Sequence, residues 1–312
     1  LVIIFAVAYL VGYGYLQSLK GSDSFFHLSN VFWFSKFFPE IPYWYPLQNG
    51  GVVPVWGYPV LSYFIVILIE RLSSLSLVGA YQVLGFLSVP LTALGLYLFI
   101  WSRIKNQTLA LIAGVFYTLA PISWVWLFDW GFYTESISYF FIFPTLIFYD
   151  SYLESYLKGK SSMASRVVLV LAIIFLAITY LFHPTSFFIT AVSAFAITFF
   201  RSIEVKPRKI LLILKRSVIP VLSLILPTLL LLGFIIFDFY AYASRVPSAP
   251  AESDKEVFIN NYSTPPDSLL GLAKIPPTEF KIGHRNIVVP PLIWVPGILG
   301  VFASIIYSRK VL

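Results

Sequence analysis

Apolar residues in this chain run on in long unbroken blocks, separated by short polar or charged breaks. A helix needs about 20 mostly apolar residues to cross about 30 Å of hydrocarbon. With soft ends allowed, the blocks that qualify are 1–19, 78–101, 108–128, 136–153, 167–182, 185–200, 217–237 and 292–308. They predict helices, because a segment in lipid must satisfy its own backbone groups. The block from Arg166 to Phe200 would measure about 52 Å as one helix, too long for one crossing. His183-Pro184 divides it, since proline ends one helix and readily starts the next. The segment Tyr58 to Leu72 is harder to place, because it offers only about 21 Å of apolar helix before Glu70-Arg71. It fits either a short span or a helix lying at the membrane interface.

Composition agrees with a bilayer environment. Of 312 residues, 59% are apolar and 11% charged, against about 25% charged in a typical globular domain, which excludes a soluble domain of this size. The net charge of +7 has meaning only through its distribution, because loops on the cytoplasmic side are enriched in Lys and Arg. If 58–72 is an external interfacial helix, thirteen of the 21 basic residues fall inside with only Asp150, Glu154 and Glu204, giving +10 inside and −3 outside. Counting it as a span reverses the bias. The pattern therefore predicts an all-α polytopic membrane bundle of about eight spans plus one external helix. Its basic surplus then orients the chain and implies no nucleic acid.

The chain opens at Leu1 inside an apolar block, as a piece of a longer protein would. Tyr9, Tyr13 and Tyr15 and the absence of a small-residue cleavage site make 1–19 a span in preference to a signal peptide. Zero cysteines remove disulfides, Cys-ligated metals and thiol nucleophiles. Neither GxxxxGK[ST] nor GxGxxG is present, which argues against a nucleotide-using site.

Every histidine and most acids fall in the predicted external regions, which are 20–77, the loop from Asp129 to Glu135, the turn at His183-Pro184 and the Pro-rich loop 238–291. Asp23 and His27 share one helix face by their i, i+4 spacing. They are placed to hold a metal together or to let the imidazole orient the carboxylate; alternatively, Asp23 caps a helix that starts at Ser24. Asp129 and Glu135 are two carboxylates near the hydrocarbon boundary, which a divalent cation such as Mg or Mn, or a phosphate with its counter-ion, would stabilise. The plainer reading is a solvated connector with Glu135 in a first helical turn. His183 either joins the pocket of Asp23 or bonds to loop backbone. Arg245 and Arg285 are candidate phosphate ligands in a loop of otherwise mixed charge. Asn261-Tyr262-Ser263 is a glycosylation sequon on the outer side. The aromatic residues of 37–64 suit either sugar stacking or the headgroup level.

Taken in order, Asp23, His27, Trp44, Pro46, Asn49-Gly50-Gly51, Pro54, Tyr58-Pro59 and Leu61 resemble the first external loop of GT-C fold membrane glycosyltransferases. Within that superfamily the chain is most similar to prokaryotic YfhO-type and "6-pyruvoyl-tetrahydropterin synthase-related" membrane proteins. The resemblance covers the first loop well, the Asp129/Glu135 loop less so, and the rest by topology. It implies a single GT-C-like domain over 1–312 in an archaeal or bacterial plasma membrane. It implies transfer of a sugar from a polyprenyl-phosphate donor to a glycan, lipid or protein acceptor at the external face. Asp23 then maps onto the catalytic acid of the first loop, Asp129 and Glu135 onto the assisting or metal-binding acids of the second. No strict D-x-D and no WWDYG-like signature occurs, which disfavours oligosaccharyltransferase activity. A non-catalytic GT-C-like subunit shares the same topology. A transporter fits less well, because the spans carry almost no ionisable residue at mid-depth.

Overall fold

In the computed structural model, residues 1–16, 22–40, 60–129, 131–160, 162–204 and 210–233 are described. All regular structure among them is helical. In chain order the helices are α1 (Val2–Leu16), α2 (Ser22–Ser35), α3 (Leu61–Leu72), α4 (Leu77–Ile104), α5 (Gln107–Leu119), α6 (Pro121–Trp124), α7 (Tyr133–Leu157), α8 (Met163–Phe182), α9 (Pro184–Glu204) and α10 (Ile210–Leu231). The chain divides into two compact units, Leu1–Ala243 and Ser244–Leu312; the second lies outside the described residues, and with it the predicted span 292–308.

Caps fix several of these boundaries. Ser76 accepts from the Gly79 N–H at 3.1 Å to start α4, and Asn106 accepts from the Leu109 N–H at 3.0 Å to start α5. Ser162 and Ser165 form a reciprocal capping box at α8, so orphan donors of these first turns have partners. At the other end of α8, His183 is extended, with φ −163° and ψ 122°, and Pro184 opens α9 at the first-turn position where a missing N–H costs nothing.

Among the described residues, three helices are long and apolar enough to cross a membrane: Leu77–Ile104, Met163–Phe182 and Pro184–Ile203. The 28 residues of α4 span about 42 Å at the α-helical rise. Their outward faces are apolar, as Val170 and Ile174 on α8 and Phe188 and Val192 on α9 show by their exposure. In water that arrangement is unfavourable, and in lipid it is the expected one. Shorter apolar helices cover Val2–Tyr13, Gln107–Leu119 and Arg216–Leu231.

The block 108–128, expected as one span, is broken. Its helix α5 has 13 residues and stops at Ala120, whose ψ of 114° is extended because the ring of Pro121 excludes the helical conformation from the residue before it. Pro121–Trp124 makes one helical turn, followed by a π-helical turn over Val125–Asp129. Carbonyls freed at the break find new donors. The Tyr117 carbonyl accepts from the Ala120 N–H and the Ser123 hydroxyl, each at 3.2 Å, and the Thr118 carbonyl accepts from the Trp124 indole at 2.8 Å. Hydropathy registers the apolar content of this block but not these local rules.

Helix α7 is the centre of the bundle, packing against α4, α8, α9 and α10. Its contact with α9 is close because α9 presents Ser186, Thr190, Ala194, Thr198 and Ser202 at four-residue spacing, all fully buried. Small residues let helix backbones approach. The hydroxyls are accommodated by back-bonds, Thr190 to the Ser186 carbonyl at 2.6 Å and Thr198 to the Ala194 carbonyl at 2.7 Å. Two cross-links join the helices, Ser138 to Ser186 at 2.5 Å and Tyr149 to Thr198 at 2.7 Å. Helix α3 buries Tyr63, Val66 and Ile67 against α2 and α4.

Candidate functional site

The starts of α2 and α7 and the α8–α9 turn meet at one end of the bundle. Gly131, just before α7, has φ +83°, and a Cβ there would lie 2.4 Å from the Ser24 nitrogen. Only glycine allows the loop to rest directly on the Asp23-Ser24 backbone. Gly131→Ala is therefore expected to cost more than about 2 kcal/mol, since the left-handed conformation alone is worth about 1–2 kcal/mol. Gly131→Asn, which tolerates positive φ, should recover little in thermal unfolding, because the collision with Ser24 remains. A full recovery by Asn would show that conformation alone matters at this position.

Asp23 lies in the first turn of α2, where the helix dipole favours a carboxylate, and is half-buried. One turn later His27 points into the protein and is 1% exposed. Its Nδ1 is 2.9 Å from the Tyr63 hydroxyl of α3, and its ring packs 5.9 Å from Tyr63 and 6.1 Å from Tyr133 between centroids. Tyr133 in turn stacks on Tyr81 at 4.0 Å. Burial, with the nearby His183 adding to it, pulls the His27 pKa down from 6.5 to about 3. His27 is thus a neutral, fixed imidazole at neutral pH, suited to hydrogen bonding and positioning and unsuited to carrying positive charge.

His183 caps α8, its N–H donating to the Thr179 carbonyl at 2.9 Å. Burial lowers the pKa of its imidazole, while the Glu135 carboxylate opposes that shift. Glu135, in the first turn of α7, accepts from the Tyr139 hydroxyl at 2.8 Å. His27, His183 and Glu135 therefore share one electrostatic neighbourhood, and the loop carrying Gly131 brings the Asp23 backbone alongside. The Glu135 carboxylate thus offsets part of the effect of burial on His183 without reversing it.

Not every expected site residue is placed. The side chain of Asp129, at the end of the π-helical turn, lies outside the described part of the structure, as do Arg245, Arg285 and the aromatic stretch 41–59. Among the described residues no three His, Cys, Asp or Glu side chains stand close enough to hold a metal ion. Tyr63, Tyr81, Tyr133 and Tyr139 pack around His27 and Glu135 here; the sequence pointed to Tyr63 as part of the aromatic stretch 37–64 and did not single out the other three. Their signal was present only as tyrosine set within otherwise aliphatic helices.

A second charged cluster went unrecognised. Asp150, one of the charges the sequence assigns to the cytoplasmic side, sits inside α7 and is 4% exposed. It forms ion pairs with Arg103 in the last turn of α4 and with Arg201 Nε in the last turn of α9, the latter at 3.5 Å.

No protein-family model matches this chain, and neither the curated proteins nor the solved structures compared with it give a match.

Proposed function

We propose that the chain is a multi-pass membrane glycosyltransferase moving a sugar from a polyprenyl-phosphate donor to an acceptor hydroxyl at the outer face of an archaeal or bacterial plasma membrane. The observation that carries this reading is the convergence of Asp23, Glu135 and His183 on one end of an apolar helical bundle. It is supported by the charge bias of +10 inside and −3 outside and by the first-loop motif that resembles GT-C enzymes. The predicted eight spans and the GT-C architecture belong to the proposal.

In this mechanism the half-buried Asp23 carboxylate removes the proton from the acceptor hydroxyl. The acceptor oxygen bonds to the anomeric carbon as the bond from that carbon to the phosphate oxygen breaks. The electron pair leaves on the lipid phosphate, which would accept a hydrogen bond from the neutral imidazole of His183. His27 and Tyr63 fix α2 on α3 and so position Asp23. An external Arg245 or Arg285 would add phosphate contacts. Should a divalent cation bind, it would supply the same charge neutralisation at the phosphate.

The test is transfer from a polyprenyl-phosphate-linked sugar by the full-length protein in liposomes. Asp23→Asn is expected to lower the rate by about 10²–10⁴-fold, the usual contribution of a general base, with unchanged thermal unfolding. Wild-type rates in Asp23→Asn would remove Asp23 from the mechanism. Donor binding without transfer by the wild type would indicate a non-catalytic scaffold.

A further inference from the structure

Helices α4, α7 and α9 run the same way, so their C-terminal ends gather at the end of the bundle away from Glu135 and His183. From Glu135 to Asp150 along α7 is about 22 Å at the helical rise. Between these ends lies a cavity of about 360 Å³, whose lining includes Arg103, Lys105, Asp150, Ser151, Glu154 and Arg201. We propose that it binds a phosphate ester anion, from either a lipid headgroup or a soluble phosphate.

Three cations line the cavity against two carboxylates, and neither acid cancels them fully. Glu154 is engaged with Lys158 at 2.5 Å, a fourth cation just beyond the lining. Asp150 lies between two guanidiniums and is ion-paired with both, so within that trio two positive charges face one negative. The same contacts hold the two Arg side chains in place, so less rotamer freedom is lost when a ligand arrives. Neither Arg is sealed off, for the Arg103 and Arg201 side chains remain 21% and 40% exposed. Lys105 adds a flexible ammonium at the rim, on an exposed residue whose φ of 57° ends α4. Planar guanidinium pairs with a mobile ammonium match the oxygens of a phosphate ester. The partial negative charge of three helix C-termini opposes an anion here, and this is the reason a cluster of cations is required. The volume lies within the ordinary range of small-ligand sites, about 300–1,000 Å³.

The experiment uses the full chain purified in a neutral detergent, with two probes. In one arm inorganic phosphate is titrated at constant ionic strength and thermal unfolding is followed. In the other, native mass spectrometry compares retention of phosphatidylglycerol with that of phosphatidylcholine. Saturable stabilisation by inorganic phosphate identifies a soluble ligand, and selective retention of phosphatidylglycerol a lipid one. In either case Lys105→Gln should weaken binding by about tenfold, the loss expected for one charge-assisted hydrogen bond. Arg201→Gln gives a parallel measurement if it folds, and the exposed Lys105 decides the matter if it does not. Binding of neither probe, or unchanged binding in Lys105→Gln, would overturn the proposal and leave the cluster as a clamp between helix ends.

Discussion

Asp150→Ala is expected to lower the stability of the protein by about 3 kcal/mol, the low end of what breaking a buried ion pair costs. The mechanism is the charge left behind. Asp150 is nearly inaccessible, and it is the carboxylate that joins Arg103 and Arg201. Without it two guanidiniums face each other near the ends of α4 and α9, with the exposed Glu154 acting on them only through space. The low end applies because Arg201 is 40% exposed, so water screens part of the repulsion. A triple replacement of Asp150, Arg103 and Arg201 by leucine or methionine should regain most of the loss, because a well-packed apolar set is often as stable as a buried ion pair. Thermal or denaturant unfolding in detergent would check both variants. If Asp150→Ala unfolds like the wild type, the trio contributes nothing measurable to holding the three helices.

Acidification should destabilise the bundle between about pH 6.5 and pH 3, and His27 should dominate that loss. Its pKa is about 3 in the folded protein against 6.5 in an unfolded chain. Between those values the unfolded chain binds more protons, so stability rises with pH across the window and is lost as pH falls through it. The ceiling is about 5 kcal/mol at 1.36 kcal/mol per unit. His183, also held below its usual value by burial, acts in the same direction. The groups facing His27 are Tyr63 and Tyr133, with His183 within electrostatic reach and Glu135 beyond it. His27→Asn keeps a polar atom near Tyr63 and removes the titration. Its unfolding free energy should depend on pH much less than that of the wild type between pH 4 and pH 7. Equal slopes in the two proteins would mean that His27 is not the group being protonated.

The helices were legible where apolar length alone decides. The blocks 78–101, 136–153, 167–182 and 185–200 are the centres of α4, α7, α8 and α9, and Pro184 marked the turn between the last two. Their ends moved outward by a few residues because caps such as Ser76 and Ser162, which are polar, set the boundaries. The break at Ala120 was not visible in hydropathy, since Pro121 acts on the backbone of its neighbour and the released carbonyls are satisfied by side chains of an otherwise apolar block. For the site, His27, Glu135 and His183 stood out because titratable groups are costly beside lipid. The tyrosines around them did not, because tyrosine at a membrane boundary has a commoner explanation. Asp150 was missed for a different reason: its partners lie far along the chain in both directions, and no local spacing indicates them.

That separation in sequence also sets an order in time. Ribosomes deliver Arg103 first, Asp150 next and Arg201 last, with the final two separated by about 3–10 s at ordinary rates of synthesis. During that interval Asp150 has Arg103 as its partner but lacks the second guanidinium. Arrival of the α8–α9 hairpin adds the second guanidinium and closes the trio. A truncation ending before Arg201 would therefore leave the Arg103–Asp150 pair without its second guanidinium, so the completed cluster records that the hairpin has been delivered and docked.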